Sequence, residues 1–131
     1  MSRFPPLTEA DSAVMELLWS KGPLTSNALL QQLSGTLEWT RQTARTYLAR
    51  LMEKGLVSAR EIKPRVYEYY SLVTRDEYAA DRTGNLLQRY YGSLPHLVAG
   101  FVRNEKVSPR ELEELEDLIR ELRRKGGNPD A

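Results

Sequence analysis

Cysteine is absent from this chain, and histidine occurs once, at His96. The first absence excludes disulfides, thiolate metal sites and thiol redox sensing; the second leaves little to hold zinc, so neither a metal nor a cofactor is expected. His96, between Pro95 and Leu97, reads as a structural or surface residue rather than a ligand. There is no glycine-rich phosphate loop, no nucleophile elbow and no His-carboxylate cluster, so the sequence does not read as an enzyme. No apolar run approaches the ~20 residues of a bilayer span, so membrane insertion is not expected. The opening Met1-Ser2-Arg3-Phe4-Pro5-Pro6 lacks the apolar stretch of a secretory signal, which makes the cytoplasm the expected compartment. Internal repeats and low-complexity tracts are missing too.

What remains is a chain of 131 residues, 40% hydrophobic and 28% charged, a globular composition. A unit of about 60 residues buries only roughly 60% of its unfolded surface, so each half is marginal alone and self-association is a natural route to more burial. The net charge of +1 conceals an uneven distribution. Residues 36–70 hold seven basic side chains against four acidic, whereas residues 108–121 hold six acidic against two basic. A basic stretch suits phosphate and an acidic one repels it, so the two regions have different partners.

Periodicity divides the chain near Val73. Thr8 caps a first helix whose stripe is Val14, Leu17 and Leu18 with Met15 beside them, stopping before Gly22-Pro23. Thr25 or Ser26 caps a second, containing Ala28, Leu29, Leu30 and Leu33 and ending near Ser34-Gly35. The third opens at Thr40 and ends at Lys54-Gly55. Leu56–Ile62 and Val66–Leu72 then read as strands around a basic tip, Lys63-Pro64-Arg65, with either side of the second strand open to burial. Thr74 and Glu77 form a capping box for a helix reaching about Tyr91. Leu94, Leu97, Val98, Phe101 and Val102 make an apolar helical face expected to be buried. Ser108-Pro109-Arg110-Glu111 starts a last helix with Leu112, Leu115, Ile119 and Leu122 at coiled-coil-like spacing. The expected fold is mainly α with a small β-hairpin: an N-terminal winged helix-turn-helix over 1–73, a C-terminal three-helix dimerisation region over 74–124 and a disordered tail over 125–131.

Three helices followed by a basic-tipped hairpin is the order in which a third helix enters the major groove while a wing meets backbone or minor groove. On a helical wheel Ala44, Leu48, Leu51 and Met52 form a packing stripe, and Gln42, Arg45, Thr46, Ala49 and Arg50 lie opposite, with Thr43 at the edge. Arginine pairs with guanine, glutamine with adenine and a threonine methyl with thymine. Thr40, Arg41, Gln42, Thr43, Arg45, Thr46 and Arg50 are therefore candidate DNA contacts, joined by Lys63 and Arg65 on the wing for phosphates. A basic arc opposite an apolar stripe is by itself commonly a solvated face; the adjoining wing turns the reading toward duplex DNA. Glu53 is the one acidic residue on the arc. The expected dimer interface comprises Tyr90, Leu94, Leu97, Val98, Phe101, Leu112, Leu115, Ile119 and Leu122. Tyr78, Tyr90 and Tyr91 suit a ligand pocket or such an interface, and their amphipathic rings favour the latter.

Particular stretches also resemble a known family. They are Leu7-Thr8-Glu9-Ala10-Asp11 with Val14-Met15 and Leu18-Trp19; Trp39-Thr40-Arg41-Gln42-Thr43-Ala44-Arg45-Thr46 with Leu51 and Lys54-Gly55-Leu56; and Val102-Arg103-Asn104-Glu105 with Glu111-Leu112-Glu113-Glu114-Leu115. Over residues 7 to 122 the chain resembles the penicillinase-repressor group of bacterial regulators, which includes the BlaI, MecI and CopY types. The resemblance implies a homodimeric repressor that binds a palindromic operator through the winged domain and dimerises through its C-terminal helices. In beta-lactam-responsive members a membrane sensor-protease system triggers cleavage at an Asn-Phe bond, where this chain has Gly100-Phe101. Copper-responsive members carry a Cys-rich motif that this chain lacks. The inducing signal is thus open between proteolysis, a ligand and another route. The alternative to a repressor is a winged-helix protein-docking module, which would expose apolar anchors on its third helix.

Overall fold

The computed structural model describes residues 3–33 and 39–126, and its contacts group them into two compact units, 1–85 and 86–131. The expected end of the second helix at Ser34-Gly35, and the tail beyond Gly126, lie outside the described residues.

In the first unit, α1 (Glu9–Lys21) starts where Thr8 and Asp11 exchange hydrogen bonds, the Asp11 amide donating to the Thr8 hydroxyl at 3.0 Å and the Thr8 amide to Asp11 Oδ2 at 3.2 Å. β1 (Leu24–Thr25) precedes α2 (Ser26–Leu33), and the Thr25 hydroxyl, not Ser26, caps α2 by accepting from the Ala28 amide. Thr40 caps α3 (Arg41–Glu53), which stops at Gly55, whose φ of 78° is a conformation glycine adopts without a Cβ penalty. β2 (Val57–Lys63) and β3 (Val66–Ser71) form the hairpin. Pro64 followed by Arg65 at φ 66° is the pairing of a type II turn, and a bulge between Glu61 and Lys63 twists the wing near its tip.

The sheet order is β1-β3-β2, all antiparallel, with Leu24 opposite Tyr69 and Arg60 opposite Glu68. Sequence periodicity missed β1 because two residues carry no alternation. Tyr69 faces the core, resolving which side of β3 is covered, while Arg60 pairs with Glu68 and lies over the Tyr70 ring on the other side. Val14, Met15, Leu18, Leu29, Leu33, Leu48, Leu51, Leu56, Val57 and Val73 close the core. Met52, expected in the packing stripe, is instead 43% exposed; it lies at the rim of the stripe, one residue before the end of α3.

One charge lies inside this core. Asp11 is fully buried, and its Oδ2 meets Lys54 Nζ at 2.8 Å, tying the start of α1 to the end of α3. Burial pushes the Asp11 carboxyl up, but the Lys54 ammonium and the Thr8 amide and hydroxyl outweigh it, so it titrates below the usual aspartate range.

α4 (Arg75–Tyr90) begins in this unit at the Thr74/Glu77 capping box and crosses into the second. The second unit contains the end of α4, α5 (Leu94–Arg103) and α6 (Pro109–Lys125), the last opened by a Ser108/Glu111 capping box. Among its described residues only Gly100 is buried. The Tyr91 ring lies over that glycine so closely that an added Cβ would sit 2.6 Å from its Cε1. The α5 face expected to be buried is therefore open in the single chain: Leu94 is 59% exposed, and Phe101 and Val102 are exposed as well.

Candidate nucleic-acid interface

The buried stripe of α3, Ala44, Leu48 and Leu51, fixes the rotation of the helix, so the opposite arc must face out. Arg41, Gln42, Arg45, Thr46, Ala49 and Arg50 are all exposed, and Thr43 is half-buried at the edge. Three of the candidate hydroxyls are already engaged locally. The Thr40 hydroxyl accepts from the Thr43 amide and lies 3.0 Å from the Thr43 hydroxyl, and Thr46 donates to the Gln42 carbonyl at 2.9 Å. A threonine bonded back along its helix presents its methyl group to a partner, which suits an apolar contact.

The cations separate into two groups. Arg50 reaches back over the Tyr47 ring at 5.3 Å, and Tyr47 stacks on Trp39 at 5.0 Å, so this guanidinium is held by an aromatic pair at one end of the arc. Arg41 and Arg45 turn the other way. With the wing's Arg65 they line a cleft of about 360 Å³ whose remaining walls are Thr25, Ser26 and Asn27 at the start of α2 and Val66, Tyr67 and Tyr69 of β3. No carboxylate lines it, and among the described residues none of the three guanidiniums is in an ion pair. Lys63 stands exposed on the wing, outside this cleft.

The nearby acids are diverted. Glu68 pairs with Arg60, and Glu61 accepts from the Arg65 backbone amide at 3.2 Å, which helps hold the turn in its left-handed conformation. Glu53 is exposed at the far end of α3. An anion entering between α3 and the wing thus meets positive charge and the start of a helix, a chemistry suited to a phosphate.

Sequence reasoning missed Ser26, Asn27 and Tyr67 as cleft residues. Ser26 and Asn27 reach it only because β1 pairs with β3 and carries the start of α2 to the wing. The aromatic readings also divide. Tyr78 stacks between Phe4 and Trp19 in the first unit, Tyr91 covers Gly100, and Tyr90 is 70% exposed. His96 is exposed, with Nδ1 2.9 Å from the Ser93 hydroxyl. Among the described residues no helix is long and apolar enough to cross a membrane.

Known proteins are similar to this chain. A penicillinase repressor of Bacillus licheniformis is 29% identical over 122 residues, 92% of this chain and 94% of that protein. The methicillin resistance regulatory protein MecI of Mammaliicoccus sciuri is 29% identical over 114 residues, 86% of this chain and 92% of its own. The solution structure of the DNA-binding domain of the repressor BlaI matches with a TM-score of 0.51 at 28% identity, covering 60% of this chain and 94% of that one. The same values hold for the monomeric form of Bacillus licheniformis BlaI in complex with the blaP half-operator. The profile described as penicillinase repressor spans residues 7–121, from ahead of α1 to well inside α6, and the chain belongs to that family of repressors rather than to any class of enzyme.

Proposed function

We propose that this protein is a homodimeric, sequence-specific DNA-binding repressor that acts in the cytoplasm on a palindromic operator. Its winged domain spans residues 1–73 and its dimerisation region 74–124. The observation that carries the reading is the outward arc of α3, exposed from Arg41 to Arg50 and continued by the wing's Arg65, with cations that lack ion-pair partners among the described residues. In this reading Gln42, Thr43, Thr46 and Arg50 meet base edges, with Thr40 ahead of them at the helix start. Arg41, Arg65 and Lys63 meet backbone phosphates, and Arg45 lies between the two groups. Dimerisation covers Tyr90, Leu94, Leu97, Val98 and Phe101 together with Leu112, Leu115, Ile119 and Leu122. Support for it comes from apolar faces that the single chain leaves open.

Selection from random duplex tests the whole reading: the expected product is an inverted repeat whose halves lie ~34–36 Å apart or a multiple of it. Uniformly weak, sequence-independent binding at physiological salt would refute it, because a specific site is typically ~10³-fold or more tighter than random DNA. On the selected duplex, Arg45→Ala should cost about 1 to 3 kcal/mol and relax base preference. Lys63→Ala should weaken all sequences alike and lower the salt slope by about one.

A further inference from the structure

The arm of residues 3–7 does more than lead into α1. The Arg3 and Phe4 amides both donate to the Asp81 carboxylate, at 2.7 and 3.0 Å, one to each oxygen. Arg82 Nη1 donates to the Phe4 carbonyl at 3.3 Å, and the Tyr78 hydroxyl to the Pro5 carbonyl at 2.7 Å. The Phe4 ring stacks on Tyr78 with centroids 5.9 Å apart and planes 29° apart, and Tyr78 in turn meets Trp19 of α1 at 5.9 Å. Tyr78, Asp81 and Arg82 fall at i, i+3 and i+4, so one face of α4 receives the whole arm.

The arm is itself stiff and anchored. Pro5 and Pro6 restrict its backbone, Leu7 packs against the core, and Thr8 is fixed as the α1 cap. α4, by contrast, buries no residue. Among the described residues its other side-chain ties to the three-helix core include Tyr78, packed on the core and against Trp19, and Arg75, paired with Glu16 and lying over the Trp19 ring, all within its first two turns. Beyond Tyr78, the side-chain hydrogen bonds that join α4 to the rest of the first unit among the described residues are those of Asp81 and Arg82 with the arm. The two amides hold the Asp81 carboxyl below the usual aspartate range, so it accepts as a carboxylate at neutral pH.

We infer that Asp81 is a positioning residue: by gathering the Arg3 and Phe4 amides it fixes the direction in which α4 leaves the winged unit, and so sets the spacing between operator halves that a pair of these chains accepts. The inference rests on the homodimeric operator reading and adds to it a side chain that touches no DNA. A helix leading to the dimerisation region transmits any change in its direction to the separation of the two reading heads, whereas each head keeps its own α3 and wing intact.

The test uses the full chain and the inverted repeat that wild-type protein selects from random duplex, a series of that repeat with the gap changed by single base pairs, and an isolated half-site. Wild-type affinity is expected to fall steeply away from the selected gap. Asp81→Ala should lose about tenfold on the selected gap, a coupling of the size linked sites show, and bind the altered gaps nearly as well, with half-site affinity unchanged. Tyr78→Phe, which keeps the ring stack and removes the hydroxyl that bonds the arm at Pro5, should shift the gap profile the same way by less, and it serves as the test if Asp81→Ala does not fold. A gap profile identical to wild type, or a half-site loss as large as the full-site loss, overturns the inference while leaving the operator reading standing. Absence of any gap preference in the wild-type protein overturns the homodimer reading and the inference with it.

Discussion

The winged unit and the helical unit behind it are built from the same stock of leucines and valines, yet one closes on itself and the other does not. Among the described residues between Arg3 and Asn85, three helices and a three-stranded sheet enclose a cluster of ten apolar side chains with Ala44 buried beside it, and even an ion pair is drawn inside. From Leu86 to Gly126 the apolar residues line up at helical spacing just as regularly, but only Gly100 is buried. The difference is one of supply. α1, α2, α3 and the sheet offer faces to one another, while α5 and α6 leave apolar side chains such as Leu94, Phe101, Ile119 and Leu122 exposed in the single chain, the faces that the proposed dimer would cover. At roughly 25 cal/mol per Å² of apolar surface, covering these exposed side chains would favour the self-association proposed above.

Matched truncations sharpen this contrast most. Leu51→Ala, at a fully buried site of α3, should cost about 3 kcal/mol in denaturant unfolding, whereas Leu115→Ala in α6 should leave the winged unit's transition in place and act on association instead. Equal effects on one common transition would break the comparison. Next in size, Phe101→Glu combined with Ile119→Glu should weaken self-association ~100-fold or more by sedimentation, with half-site DNA binding retained. A dimer of unchanged strength would mean that these faces are not where the chains meet.

The Asp11–Lys54 pair gives the smallest and most local test. Lys54→Ala leaves a carboxylate buried with one counter-charge fewer, and the expected loss is ~2 kcal/mol, moderated because water reaches the ammonium. Since the Asp11 pKa is lowered in the folded state, its contribution is present above the ordinary aspartate value of ~3.9 and is lost as pH falls through the lower folded value. Acid unfolding of wild type should therefore steepen in that window, and in Asp11→Asn that component should vanish. An identical acid profile in the two proteins would show that the pair contributes nothing.

Much of this was legible in the residues. Thr8, Thr40, Thr74 and Ser108 each announce a helix start through a hydroxyl with an amide three residues on, a local chemistry that packing does not override. The basic arc of α3 was legible because the apolar stripe opposite it is unambiguous. Three features were hidden for physical reasons. β1 is too short for a period, the arm's bonds to Asp81 join residues 77 and 78 positions apart, and a regular apolar face such as that of α5 does not say whether its own chain covers it. The cleft belongs with the first two: Ser26 and Asn27 meet Arg65 only through sheet pairing.

The placement of the two tryptophans supplies the protein with its own optical probes. Trp39 stacks on the tyrosine that supports Arg50, while Trp19 lies between Tyr78 and the Arg75 guanidinium with its indole N–H bonded to the Val73 carbonyl. Trp19→Phe would leave emission that responds to duplex arriving at α3, and Trp39→Phe would leave emission that responds to release of the arm from α4. Occupancy of the reading head and loosening of its strap could then be timed separately in one unlabelled molecule.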